Sequence, residues 1–207
     1  MTFNALVTLG QKRPLVLGSR SPRRIQLLEE LGVGFRRAVS QVEETPRPGE
    51  DPYAFAVRLA QEKATDVAIS AQNDEIVIGG DTIVVLDGAI LGKPSDRTEA
   101  IETLQKLAGK QHTVCTALAL ANSSRLICFG EERTDVYFRD VSLRQIEDYV
   151  DGGEPMDKAG AYGIQGMGAF LVDRIEGNLD NVVGLPRTLL DSLARDALHL
   201  LQLCTNH

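Results

Sequence analysis

"PLVLGSRSPRRIQLLEELG", residues 14–32, couples a short apolar run of strand type to a segment whose apolar residues recur at helical spacing. Residues 15–18 read as a strand and residues 22–31 as a helix, with Ser21 as its N-cap, Pro22 as its first helical residue and Gly32 as its stop. The same alternation continues downstream. Residues 35–42 read as extended, 53–71 as a helix, 96–108 and 142–151 as helices, 112–121 and 125–139 as paired strands, and 186–203 as a last helix. Strands alternating with helices predict an α/β, or mixed α+β, architecture. Residues 76–79 and 82–86 form two apolar runs around Gly79, Gly80 and Asp81, and Asp87-Gly88 is a hairpin turn before a short third run. A glycine-rich segment, residues 159–170, leads into a further strand.

Arg23 and Arg24 fall in the first turn of the helix that follows Ser21, where the dipole disfavours cations and stabilises anions. A bound anion held by backbone N–H groups and both guanidinium groups would compensate. Pairing with nearby glutamates such as Glu29 is the plainer alternative.

With 207 residues the chain can bury a substantial core as one domain or as two closely joined lobes; no linker or internal repeat divides it. Residues 1–13 read as a short extension before the first strand and not as a signal peptide. The 43% hydrophobic and 25% charged content argues against disorder. No apolar run reaches the roughly 18 to 20 residues that span a bilayer, so no membrane role is expected. A net charge of -7 and a pI near 5.0 disfavour a long nucleic acid as partner, and 5% aromatic residues leave no stacking platform for a single strand. Cys115, Cys128 and Cys204 are odd in number and lack metal-site spacing, which points to reduced thiols in a cytoplasmic protein, the first two being core residues of strands.

Asp81 stands between strand-like runs, where a carboxylate is disfavoured and needs a partner. A metal ion would serve, or a lysine such as Lys93 across the hairpin; a turn or bulge after two glycines is the structural alternative. Glu43 and Glu44 end the second extended segment and Lys63 edges the apolar face of the next helix, each ordinary alone. Together with Asp81 the glutamates offer oxygen ligands to a hard cation such as Mg²⁺. The glycine-rich segment matches neither the P-loop nor the dinucleotide fingerprint. Its glycines serve tight turns, or else close approach to a flat ligand with the Gln165 amide on a base edge. His112 has no triad partner in the sequence and reads as structural.

Taken in order, "GSRSPRR", "VEET", "RLAQEKA", "GGDTIV", "LGKP", "DKAGAYGIQGMG" and "VVGLP" resemble the motifs of the Maf-like nucleoside triphosphate pyrophosphatases over residues 15–195. The resemblance implies one Maf-like domain with two lobes around a central cleft, built on a twisted mixed sheet similar to that of inosine triphosphate pyrophosphatases. It implies hydrolysis of a nucleoside triphosphate to the monophosphate and pyrophosphate with Mg²⁺ or Mn²⁺, in a homodimer. Ser19, Arg23, Arg24, Lys63 and Lys93 look like the phosphate-handling set, and Glu44 and Asp81 like the metal-holding pair, Asp81 also matching the family's proton acceptor. Arg23, Thr82 and Gln165 resemble the selecting residues of members that act on dTTP and UTP. Members directed to 7-methylguanosine triphosphate differ at all three. The segment "EGNLDNVVGLP" is closer to that second group, and Gly18 and Arg20 depart from the small residues common in the first loop. A nucleotide-binding regulator of cell division or septum formation is the expectation from a different class.

Overall fold

The computed structural model describes residues 3–72, 74–123 and 125–204. Seven strands form one mixed sheet in the order β2-β1-β3-β5-β6-β7, with β4 paired to β3. β1 (Leu15–Gly18) runs parallel both to β2 (Phe35–Ala38) and to β3 (Ile76–Leu86). Parallel neighbours require crossovers, and α2 (Pro22–Glu29) and α3 (Pro52–Ile69) supply them. All four residues of β1 are buried, as expected of an apolar strand flanked on both edges.

Two compact units emerge, each with its own apolar interior. The first comprises Met1–Asp81, Thr116–Glu132 and Gly184–His207. Its core includes Leu15, Leu17, Leu59, Ile76 and Ile78, each almost completely buried and each contributing about 1.5–3 kcal/mol. Asp51 caps α3 by accepting from Tyr53 and Ala54 N–H, which places the helix start one residue before the expected one. The extension ahead of β1 is itself a helix, α1 (Asn4–Lys12). Its side-chain cap comes from far away: Asp191, on α7 (Arg187–Cys204), accepts from Ala5 and Leu6 N–H at 2.9 and 3.0 Å. Leu6 and Leu9 bury the inner face of α1.

The second unit comprises Thr82–Cys115 and Arg133–Val183. Asp87 and Gly88, both at positive φ, turn β3 into the antiparallel β4 (Ala89–Leu91), as the Asp-Gly pair predicts. α4 (Arg97–Leu107) starts at the Asp96 cap, and α5 (Leu143–Asp151) at a capping box of Ser142 and Gln145. β5 (Gln111–Asn122) and β6 (Arg125–Phe138) are neighbours, and β7 (Val172–Glu176) pairs antiparallel with β6. The glycine-rich segment forms short 3₁₀ turns ahead of β7. α6 (Leu179–Val183), absent from the sequence-based expectation, is a single turn whose buried Asn181 donates to Val114 O and Thr134 Oγ1.

One expectation needs correcting: the runs around Gly79, Gly80 and Asp81 are a single strand, buried at ten of eleven positions. No turn intervenes, and Asp81 lies within the strand. Cys115 is buried in β5; Cys128 in β6 is half-buried, with its thiol donating to Leu193 O and pushed up to about 12 by burial. The side chain of Cys204 lies outside the described residues.

Candidate active site

Gly79 decides how close α3 comes to β3. A Cβ at that position would stand 2.6 Å from both Ala60 O and Ala64 N, so only glycine lets the helix backbone rest there. The close approach brings Lys63 of α3 to Asp81, two residues further along the strand. Lys63 Nζ donates to Asp81 Oδ1 at 2.7 Å and lies 2.7 Å from Glu44 Oε1. The lysine is 8% exposed and Asp81 7%, whereas the Glu44 side chain is 52% exposed. A buried ammonium thus bridges a buried carboxylate and one that reaches solvent. Removing one member of a buried pair costs about 3–5 kcal/mol, while apolar replacement of both is often neutral. Stability alone gives little reason to retain it. The partner of Asp81 is therefore Lys63, not the Lys93 expected across the hairpin.

The first-turn arginines divide their work. Arg24 turns inward: Nε donates to Gly184 O at 2.8 Å, and Nη1 donates to Gly80 O at 2.9 Å and to Ser19 Oγ at 3.4 Å. Burial pulls its pKa below the ordinary arginine value, the Asp81 charge opposes that, Arg23 adds to it, and Glu44 opposes it again. Arg24 thus ties the β1–α2 loop to the carbonyl immediately before Asp81, and pairing with Glu29 is not its role. Arg23 stays half-buried in the first turn of α2. Ser19 Oγ accepts from Ser21 N at 3.2 Å and Ser21 Oγ from Arg24 N at 3.4 Å, so both serines shape this helix entrance. Glu43 is engaged locally, accepting from the Thr45 hydroxyl at 2.9 Å.

The first unit accordingly brings together Ser19, Arg24, Glu44, Lys63 and Asp81, and it also contains Arg23. Thr82, Lys93 and Gln165 belong to the second unit. Lys93 is exposed just after β4, beside Gly92, whose carbonyl accepts from Gly160 N. Gln165 is exposed between Gly163 and Gly168. Two residues of this unit escaped notice in the sequence, Tyr149 and Glu154. Glu154 Oε1 accepts from the Tyr149 hydroxyl at 3.0 Å and from Gly168 N at 3.2 Å, and Oε2 accepts from Met167 N at 2.8 Å. The glycines themselves were the available signal, since closely spaced glycines mark where something must approach the backbone.

The donor set can be tested against a divalent cation. Among the described residues no three His, Cys, Asp or Glu side chains gather into a metal site. Asp81 and Glu44 do converge on a single cationic group, the Lys63 ammonium. Two carboxylate oxygens with the remaining ligands left to substrate phosphate is the arrangement Mg²⁺ accepts, so these residues fit such an ion.

A dTTP/UTP pyrophosphatase of Escherichia coli O6:K15:H31 is 48% identical over 173 residues, covering 83% of this chain and 87% of that protein. The E. coli K12 protein of the same name is 47% identical over the same shares, as is a nucleoside triphosphate pyrophosphatase of Shigella flexneri. A crystal structure of a nucleoside-triphosphatase / dITP/XTP pyrophosphatase from Mycobacterium abscessus is similar at a TM-score of 0.43 and 15% identity, covering 92% of this chain and 98% of that one. The family model described as Maf-like protein matches residues 14–197, and the chain belongs to that family.

Proposed function

We propose that the protein hydrolyses dTTP and UTP to the nucleoside monophosphate and pyrophosphate. The observation that carries this reading is the buried Lys63–Asp81 pair extended to exposed Glu44, close to an arginine-bearing helix entrance. Such a cluster is poised for a polyanion and a proton, and relatives almost half identical bear the dTTP/UTP pyrophosphatase name.

In the proposed reaction a water oxygen attacks the α-phosphorus, the bond from that phosphorus to the α–β bridging oxygen breaks, and pyrophosphate leaves with the electron pair. The Asp81 carboxylate accepts the proton released by the water. Lys63 compensates the carboxylate charge and holds its orientation. Arg23 and Lys93 neutralise the phosphate oxygens, which supplies the main lowering of the barrier in reactions of this kind. Arg24 and Ser19 hold the loop that presents Arg23. Glu44 and Asp81 would hold Mg²⁺ or Mn²⁺ together with substrate oxygens, and the bound ion supplies further charge neutralisation on the phosphates. Thr82 and Gln165 read the pyrimidine: a carboxamide donates to a base oxygen and accepts from the ring N–H. The protein acts in the cytoplasm as a homodimer.

Pyrophosphate release from dTTP, UTP, CTP and 7-methyl-GTP in H₂¹⁸O, with and without Mg²⁺ or Mn²⁺, tests the reading. Metal-dependent turnover favouring dTTP and UTP, with the label in the monophosphate, is expected. Label in pyrophosphate would exclude attack at the α-phosphorus, and nucleotide binding without turnover would favour a regulatory role.

A further inference from the structure

The glycine-rich segment has a use that neither reading of its sequence anticipated. Gly160 alone of its glycines has a positive φ, so tight turning does not explain Gly163, Gly166 and Gly168. A Cβ on Gly163 would stand 2.8 Å from Glu154 Oε1, and one on Gly168 would stand 2.7 Å from the Tyr149 hydroxyl oxygen; Gly166 likewise lies directly against Glu154 Oε2. These glycines make room for a carboxylate and a phenol pressed onto the backbone.

What the pair then does is hold the segment on both sides of Gln165. Upstream, the Tyr149 hydroxyl accepts from Gly163 N at 3.1 Å while donating to Glu154. Downstream, Glu154 accepts from Met167 N and Gly168 N. Hydrogen bonds to an ionised acceptor are roughly twice as strong as neutral ones, and a carboxylate presents acceptors only. A glutamine at 154 would turn an NH₂ donor toward one of these N–H groups. Burial raises the Tyr149 pKa above its ordinary value, so the phenol keeps its proton for Glu154 at neutral pH.

We propose that Glu154, braced by Tyr149, is a positioning residue for base recognition, fixing the backbone that presents Gln165 to the pyrimidine. The assignment rests on the reading of Gln165 given under Proposed function. It requires that Glu154 act through Gln165 and not on the phosphate chemistry.

The test is a double-mutant cycle of Glu154→Gln and Gln165→Ala, with KM and kcat measured for UTP and hydrogen exchange followed at the Met167 and Gly168 amides. Glu154→Gln is expected to raise KM about tenfold, leave kcat within about twofold and speed exchange at both amides. In the Gln165→Ala background it is expected to change KM no further. Tyr149→Phe, which keeps the ring packing but frees Gly163 N and removes the hydroxyl's bond to Glu154, is expected to raise KM about threefold and serves if Glu154→Gln does not fold. An unchanged KM, a loss confined to kcat, or an equal effect in both backgrounds overturns the assignment while the activity stands. Failure of the unmutated protein to turn over dTTP or UTP overturns the functional reading and this assignment with it.

Discussion

Each unit of the molecule buries a polar cluster, and the two are built in opposite ways. In the first unit the Lys63 ammonium and the Asp81 carboxylate are both charged types, and the cluster opens to solvent through Glu44. In the second, His112 Nε2 meets the Tyr162 hydroxyl at 2.8 Å, and the imidazole stands edge-on to the rings of Phe138 and Tyr162. Burial lowers the His112 pKa to about 4, only partly opposed by Asp135, and raises that of Tyr162, so this cluster is neutral at pH 7. Neutral groups with apolar rings around them suit a core. Ionised groups that keep a route to solvent are costly there and suit chemistry, so the difference in charge state separates a site from a packing solution.

The largest effect that would break this comparison is expected from Lys63→Met. It leaves Asp81 and Glu44 without their shared cation, lowers kcat by about 10² or more and costs about 3–5 kcal/mol of stability, read by pyrophosphate release and denaturant unfolding. Wild-type turnover in that variant would make the pair a mere packing device. Gly79→Ala comes next. Its methyl group would meet the backbone of α3 at Ala60 and Ala64, so helix and strand must part by a fraction of an ångström and Lys63 moves from Asp81. A rate loss approaching 10² with about 1–3 kcal/mol of destabilisation is expected.

On the other side of the comparison stands a pH effect. Unfolded His112 binds a proton below its ordinary value of 6.5, while the folded protein binds it only near 4. Between these values the unfolded state holds more protons, so stability falls as pH falls, by about 3 kcal/mol in all. Urea unfolding from pH 7 to pH 4 should show this slope in the wild type and a reduced one in His112→Phe, whose kcat at pH 7 stays within about threefold of wild type. The smallest effect concerns Glu75, which accepts from Arg36 Nε and Nη2 at 2.6 and 2.5 Å. That bidentate bond, helped by Gln72 N–H, holds the Glu75 pKa down to about 2. Its stabilisation is present above pH 4.5 and is lost as pH falls toward 2; with the Arg36 side chain 47% exposed, Glu75→Gln should cost below about 1 kcal/mol at pH 7.

Much of this was legible in the sequence. Ser21 and Ser142 marked the starts of α2 and α5 through local hydrogen bonds, which depend only on near neighbours, whereas the caps of α3 and α4, Asp51 and Asp96, were not singled out. Asp81 announced itself by breaking the strand rule, and the first-turn arginines by breaking the dipole rule. The partnerships were less legible because they depend on packing between distant segments. Lys63 is 18 residues from Asp81 and reaches it through the glycine that admits α3. Arg24 points inward to a carbonyl 160 residues away, a destination that no local pattern encodes. α1 was missed for the same reason, its cap being Asp191, and Glu154 because its three donors lie 5 to 14 residues away, beyond any short motif.

The central claim, that the buried charged pair is the chemical centre, is tested most directly by UTP turnover in Asp81→Asn beside His112→Phe. The asparagine keeps the shape of the site, and Glu44 remains beside Lys63. A fall in kcat of about 10² or more in Asp81→Asn, with kcat nearly unchanged in His112→Phe, is the predicted result. Near-normal turnover in Asp81→Asn would contradict it.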